Sequence, residues 1–90
     1  MDKPDLYVLA RFLGVLYSSG GPMKKTNIQT SIGLSYPRFI EYLEWMEAHS
    51  LVSRTIGGDG SELVDLSSKG LDLYVRLFEW IRDAMKGPER

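Results

Sequence analysis

Apolar and polar positions along this chain recur in two rhythms, one near 3.6 residues and one near two, and their order predicts the elements. Over residues 4–18 the rhythm is helical. Leu6, Leu9, Ala10, Leu13, Leu16 and Tyr17 form one apolar stripe, Val8, Phe12 and Val15 a second on nearly the opposite side, and Tyr7, Arg11, Gly14 and Ser18 a polar edge. Gly20-Gly21-Pro22 interrupts this pattern, and Met23 after it allows one short extended segment. A second helix is predicted over 25–32, where Ile28, Ser31 and Ile32 lie at helical spacing. Gly33 follows at the place where a helix ends in a left-handed residue, a conformation that only Gly adopts without steric cost. Ser35 is placed to cap the next helix through its hydroxyl, and Pro37 falls in the first turn, where a missing N–H costs nothing. That third helix, over 36–49, has the buried stripe Tyr36, Phe39, Ile40, Leu43 and Met46. Pro37, Glu41, Glu44 and Ala48 lie opposite, with Arg38 and Trp45 on one flank.

The rhythm then shortens. Leu51 and Val52 lead into an extended run, Gly57 to Gly60 (GGDG) supplies a turn, and Leu63 to Leu66 return, which predicts a β-hairpin across 51–66. Leu66 to Gly70 (LSSKG) opens a last helix over 68–85, closed by Gly87-Pro88. It too carries two stripes: Leu71, Tyr74, Val75, Phe78, Ile81 and Met85 on one side, Leu73, Leu77, Trp80 and Ala84 on the other. A helix packed on one side of a small domain needs a single stripe, so the surplus predicts a second copy as cover. The expected interface is Val8, Phe12, Val15, Leu73, Leu77, Trp80 and Ala84. The alternative is a wide stripe that surrounds a deeper core.

The order helix, short strand, helix, turn, helix, hairpin, helix resembles the winged helix-turn-helix superfamily over nearly the whole chain, an α+β class that is mainly α. SIGLSYPRFIEYLEWMEAHSLV, followed by the Gly-rich hairpin and LSSKG, is similar to the multiple-antibiotic-resistance-type and PadR-like regulators. It looks closest to small archaeal winged-helix DNA-binding proteins that dimerise through a long C-terminal helix. The resemblance implies a single domain, with the helix-turn-helix and wing over 4–66, a dimerisation helix over 67–86 and a frayed tail at 87–90. It also implies a homodimer, whose helices could pair parallel or antiparallel with the resemblance favouring antiparallel, and a recognition helix that enters the major groove near Ser35. Two positions depart from the pattern. Ser50 stands where such sequences usually carry Gly, and Glu41 and Glu44 stand where a DNA reader often carries basic or neutral polar residues.

Composition narrows the chemistry. A chain of 90 residues is one domain with a marginal core, for which oligomerisation is a common remedy. The absence of Cys excludes disulfides, thiol catalysis and most structural zinc sites. No apolar run reaches membrane-spanning length, and Asp2 and Asp5 spoil the basic start of a signal peptide, so a cytoplasmic protein with no membrane partner is expected. His49 is the only His, near a helix end, where a cap or dipole contact suits it better than a metal. No nucleophile elbow accompanies the Ser and Asp residues, and GGDG lacks the GK[ST] of a phosphate loop. No enzyme, cofactor or metal is expected.

Charge complicates the picture. The formal net charge is −1, whereas phosphate neutralisation usually demands a basic face. Residues 19–35 nonetheless carry Lys24 and Lys25 without an acid, and Arg38 follows. Thr26, Asn27, Gln29, Thr30, Ser35 and Tyr36 add uncharged groups suited to phosphates or base edges. With Glu41, and with Arg54 at the base of the wing, these are the expected DNA contacts, although a solvated surface would also account for the lysine pair. Glu44 and Glu47 reverse the sign further along the helix, and Asp59 and Glu62 oppose Arg54 in the wing. Trp80 and the Met residues suit packing, whereas Trp45 suits either packing against the wing or anchoring a protein partner. Two functions follow: a homodimeric binder of double-stranded DNA, such as a small transcription regulator, or a winged-helix interaction module that binds a protein through its acidic helix or Trp45.

Overall fold

Asp5 starts the first helix. Its carboxylate accepts hydrogen bonds from the backbone N–H of Tyr7 and Val8 at 2.8 and 3.3 Å, so α1 runs over Leu6–Ser19 and ends at Gly20 with φ +71°. The computed structural model describes residues 3–86, so the expected frayed tail at 87–90 lies outside the described residues. Strand β1 (Met23–Lys24) leads directly into α2 (Lys25–Ile32), and α3 (Tyr36–Ala48) follows. Strands β2 (Val52–Ile56) and β3 (Glu62–Leu66) form the hairpin, and α4 (Ser68–Met85) closes the chain.

Thirteen side chains from every helix but α4, and from the hairpin, make the core: Leu9, Phe12, Leu13 and Leu16, Ile28 and Ile32, Phe39, Tyr42, Leu43 and Met46, and Leu51, Val52 and Val64. Phe12 and Phe39 stack in parallel with ring centroids 5.4 Å apart, which locks α1 onto α3. The stripe of α3 is rotated relative to the sequence expectation. Tyr42, not Tyr36, is buried; Tyr36 is half exposed, while Tyr42 is 1% exposed and its hydroxyl accepts a hydrogen bond from the Asp5 N–H at 2.9 Å. A buried phenol costs little once its oxygen has such a partner. Arg11 reaches across to donate to the carbonyl of Ile32 at 2.9 Å, which satisfies an orphan acceptor at the end of α2.

The sheet has the order β1-β3-β2 with both pairings antiparallel. Lys24 lies opposite Leu63 and Ile56 opposite Glu62, so the short β1 strand and the wing share β3. The expected GGDG turn closes through Gly57 N–H to Ser61 O at 2.8 Å, with Gly60 at φ +86°.

Ser67 joins the wing to α4. Its hydroxyl accepts from the Gly70 N–H at 2.9 Å and donates to the Ser50 carbonyl at 2.7 Å, while its own N–H donates to Leu51 O at 3.0 Å. Gly70 packs so closely on this junction that a Cβ there would lie 2.1 Å from Leu51 O. Gly14, expected on a polar edge, is instead where α4 crosses α1: Tyr74 fills the space above it, and Tyr17 stacks on Tyr74 at 5.0 Å.

The expected intersubunit set is largely internal. Phe12 is fully buried within its own chain and cannot be an interface residue. Val8, Val15, Leu73 and Leu77 are half-buried against the same core, because the first three turns of α4 lie along α1. Trp80 and Ala84 continue the Leu73–Leu77 side beyond the end of the core and are exposed, Trp80 by 62%. Among the described residues no helix is long and apolar enough to cross a membrane.

Candidate nucleic-acid interface

Gly33, at φ +70°, turns the chain between α2 and α3 as the sequence predicts, and its N–H donates to Gln29 O at 3.0 Å. The Gln29 side chain is half-buried and donates to Leu34 O at 3.3 Å, so it braces this turn and its amide nitrogen is not a free DNA contact. Ser35 occupies the N-cap of α3, but its hydroxyl makes no capping hydrogen bond, contrary to expectation. Pro37 accounts for part of this, since it removes one of the N–H groups that a cap would satisfy. Thr26, Asn27, Ser35, Tyr36 and Arg38 are exposed.

The first residues of α2 and α3 meet the wing on one surface. Lys25 Nζ lies 3.4 Å from Tyr36 Oη and 5.7 Å above the centre of that ring. The same ammonium is 3.4 Å from Glu62 Oε2, and Lys24 Nζ is 3.3 Å from Asp59 Oδ2. Arg54 is the most committed cation. Its Nη2 is 2.8 Å from Glu47 Oε1 and its Nη1 is 3.1 Å from Glu62 Oε1, while Nε, shielded from solvent, has no hydrogen-bond partner. Glu47 at the end of α3 and Glu62 at the start of β3 therefore hold Arg54 between them. The expectation of Arg54 as a DNA contact is corrected, because its guanidinium clamps the wing to the recognition helix.

Protonation follows this geometry. Hydrogen bonds from the Ser61 hydroxyl, at 2.6 Å, and the Ser61 N–H, at 3.0 Å, with Lys24 beside them, hold the Asp59 carboxyl well below the usual carboxylate range. Arg54, then Lys25, lower the Glu62 carboxyl, and the Glu47 hydrogen bond raises the Arg54 guanidinium. Asp59, Glu62 and Arg54 are thus each held in their charged form.

Arg38 is different, since its guanidinium lies 5.7 Å over the Tyr42 ring and forms no ion pair among the described residues. Glu41 and Glu44, exposed on the outer face of α3, likewise pair with no cation there. His49 stacks on Trp45 at 3.9 Å and its Nδ1–H donates to Trp45 O at 2.8 Å, the expected cap-like contact. Trp45 packs on the core beneath that ring, which leaves little of it to anchor a partner. The described residues include no cluster of His, Cys, Asp or Glu able to hold a metal.

Sequence reasoning missed the pairing of both lysines with the wing. Lys24 and Lys25 stand 35 or more residues from Asp59 and Glu62, and only the β1–β3 register, invisible in a two-residue strand, brings them together.

No protein-family model matches the sequence, and no curated protein matches it. Solved structures do. MepR, a transcription regulator of the Staphylococcus aureus multidrug efflux pump MepA, superposes with a TM-score of 0.78 at 20% identity, over 88% of this chain and 58% of MepR. A MepR mutant bound to an oligodeoxyribonucleotide matches at 0.74 and 21%. The transcriptional regulator BldR from Sulfolobus solfataricus matches at 0.79 and 16% identity, over 88% of this chain and 57% of BldR. The chain thus spans a little over half the length of these regulators. A winged-helix DNA-binding protein from STIV matches at 0.80 and 17% identity, over 89% of this chain and 92% of that one. At these levels of identity the likeness speaks to architecture, and the chain has the winged helix-turn-helix fold.

Proposed function

We propose that this chain is a homodimeric DNA-binding protein, a small transcription regulator that sets the Ser35 end of α3 into the major groove of double-stranded DNA. The observation that carries this reading is the contact of Lys25 with Tyr36, which brings the start of α2 to the start of α3, where Arg38 and the Ser35 hydroxyl, which makes no capping bond, are exposed. Thr26 and Asn27, at the exposed start of α2, suit phosphate contacts, since backbone N–H groups there point outward. Arg38 is the free guanidinium for a bidentate contact with guanine. Relatives in fold include a MepR mutant bound to an oligodeoxyribonucleotide and the STIV DNA-binding protein.

The dimer rests on α4. Val75, Phe78 and Met85 on one side of α4 and Trp80 on the other are exposed along a molecule 55 Å long and 25 Å wide, and exposed apolar patches of this kind mark association surfaces. A second copy is the self-consistent occupant for a two-fold reader of DNA.

Fluorescence anisotropy with a random duplex at several salt concentrations tests the function. The expected result is an association constant that falls linearly with the logarithm of salt concentration, as counterion release requires. Folded protein without affinity for random or genomic duplex at low salt would replace this reading with the protein-interaction module, which the unpaired Glu41 and Glu44 favour.

A further inference from the structure

We infer that Asp59 and Glu62 act as internal substitutes for DNA phosphate, so that the wing holds the two lysines of the reading surface in an autoinhibitory latch. The inference rests on the proposed DNA binding and adds a cost that the chain itself imposes on it.

The geometry is that of a phosphate contact made in advance. Lys24 and Lys25, adjacent in sequence, are each within 3.4 Å of a carboxylate oxygen, one on the turn of the wing and one on the strand beside it. Asp59 is not a floppy surface acid. Its Oδ1 accepts both the Ser61 hydroxyl and the Ser61 N–H, which leaves Oδ2 directed at Lys24. Glu62 is shared between Lys25 and Arg54, and Arg54 is fixed in turn by Glu47 on α3. Wing carboxylates therefore hold Lys24 of β1 and Lys25 of α2, where a wing that grips DNA would offer cations, and the wing's own Arg54 is spent on Glu47 of α3.

The latch is built to exchange. The Lys24 and Asp59 side chains are 51% and 59% exposed, and an ion pair so open to water and salt is weak enough for a phosphate to displace it. Lys25 is more sheltered, at 17%, and Tyr36 supports its ammonium from the side that faces α3, so it releases second. DNA binding then proceeds by transfer of each ammonium from a carboxylate to a phosphate, with no change in protonation. Two consequences follow. Affinity for arbitrary duplex is low, because the cations that would supply it are already neutralised. Salt dependence is flattened, since salt weakens the internal pair along with the external one.

A double-mutant cycle separates the latch from mere repulsion between carboxylates and DNA. Asp59→Asn keeps the size and the Ser61 contacts of the side chain, and circular dichroism verifies that each variant folds. Binding of a random 20-base-pair duplex, measured by anisotropy at low salt, is compared for the wild type, Lys24→Ala, Asp59→Asn and the double variant. The latch predicts that Lys24→Ala costs at least about threefold more affinity in the Asp59→Asn background than in the wild type. It also predicts that Asp59→Asn/Glu62→Gln steepens the salt dependence. As a second control, Gly58→Asp/Asp59→Gly preserves net charge but moves the carboxylate away from Lys24, and is expected to bind as tightly as Asp59→Asn. Additive effects of Lys24→Ala and Asp59→Asn in proteins that do bind DNA would overturn the latch and leave DNA binding intact. Failure of every variant to bind at low salt would overturn both.

Discussion

Ser50 is the residue that the backbone least favours. It sits at φ +61° between α3 and β2, the only described non-glycine residue in the left-handed region, at the position where the resemblance to winged-helix proteins implies Gly. A Cβ in that conformation costs roughly 1–2 kcal/mol. Ser50→Gly is therefore expected to stabilise the protein by a sizeable part of that amount, read as a higher urea midpoint; only the backbone carbonyl of Ser50 is bonded to Ser67, so the substitution keeps that contact. Gly70 is the opposite case. With Leu51 O 2.1 Å from the position of a Cβ, Gly70→Ala must push α4 off the hairpin and is expected to cost about 1–3 kcal/mol or more by thermal denaturation. Of these two, the first was legible in the sequence and the second was not. A glycine at a helix end announces a left-handed turn, as Gly33 does, but a glycine demanded by a distant carbonyl leaves no local sign.

At the scale of elements, the helix-turn-helix depends on the buried face of α3. Leu43 is fully buried there among Phe39, Tyr42 and Met46, and Leu43→Ala is expected to lose roughly 2–5 kcal/mol to the missing contacts and the cavity left behind, measured by denaturant titration. Tyr42→Phe removes only the hydrogen bond from the Asp5 N–H and is expected to cost about 0.5–1.5 kcal/mol. The elements were largely readable because apolar periodicity marks a helix face wherever one side is buried. Periodicity was blind to one thing, the partner of each stripe: Tyr42 was missed because a hydroxyl scores as polar until its acceptor role is known, and Phe12 was sent outward because its stripe faces α3 and not solvent. The candidate site was half legible. Lys25 meets Tyr36 and Arg38 is exposed near the start of α3, while the neutralisation of the lysines and of Arg54 depends on strand register across the sheet.

The whole molecule is elongated because α4 outruns the core that its first turns cover. If the second half of α4 pairs two chains, Phe78→Glu or Trp80→Glu will place an unpartnered carboxylate in a dry interface, and light scattering is expected to report the mass of one chain where the wild type reports two. A wild-type protein that stays monomeric at high micromolar concentration would refute the pairing. One further consequence lies in the single residue between β3 and α4. Ser67 is bonded to Ser50, Leu51 and Gly70 together, so no flexible link separates the helix proposed to join two copies from the segment that leads out of α3. In such a pair the distance between the two reading helices is set like the gap of a caliper with a welded joint. Operator half-sites of one spacing would fit, and duplexes in which that spacing is changed by half a helical turn would be bound by one subunit at a time.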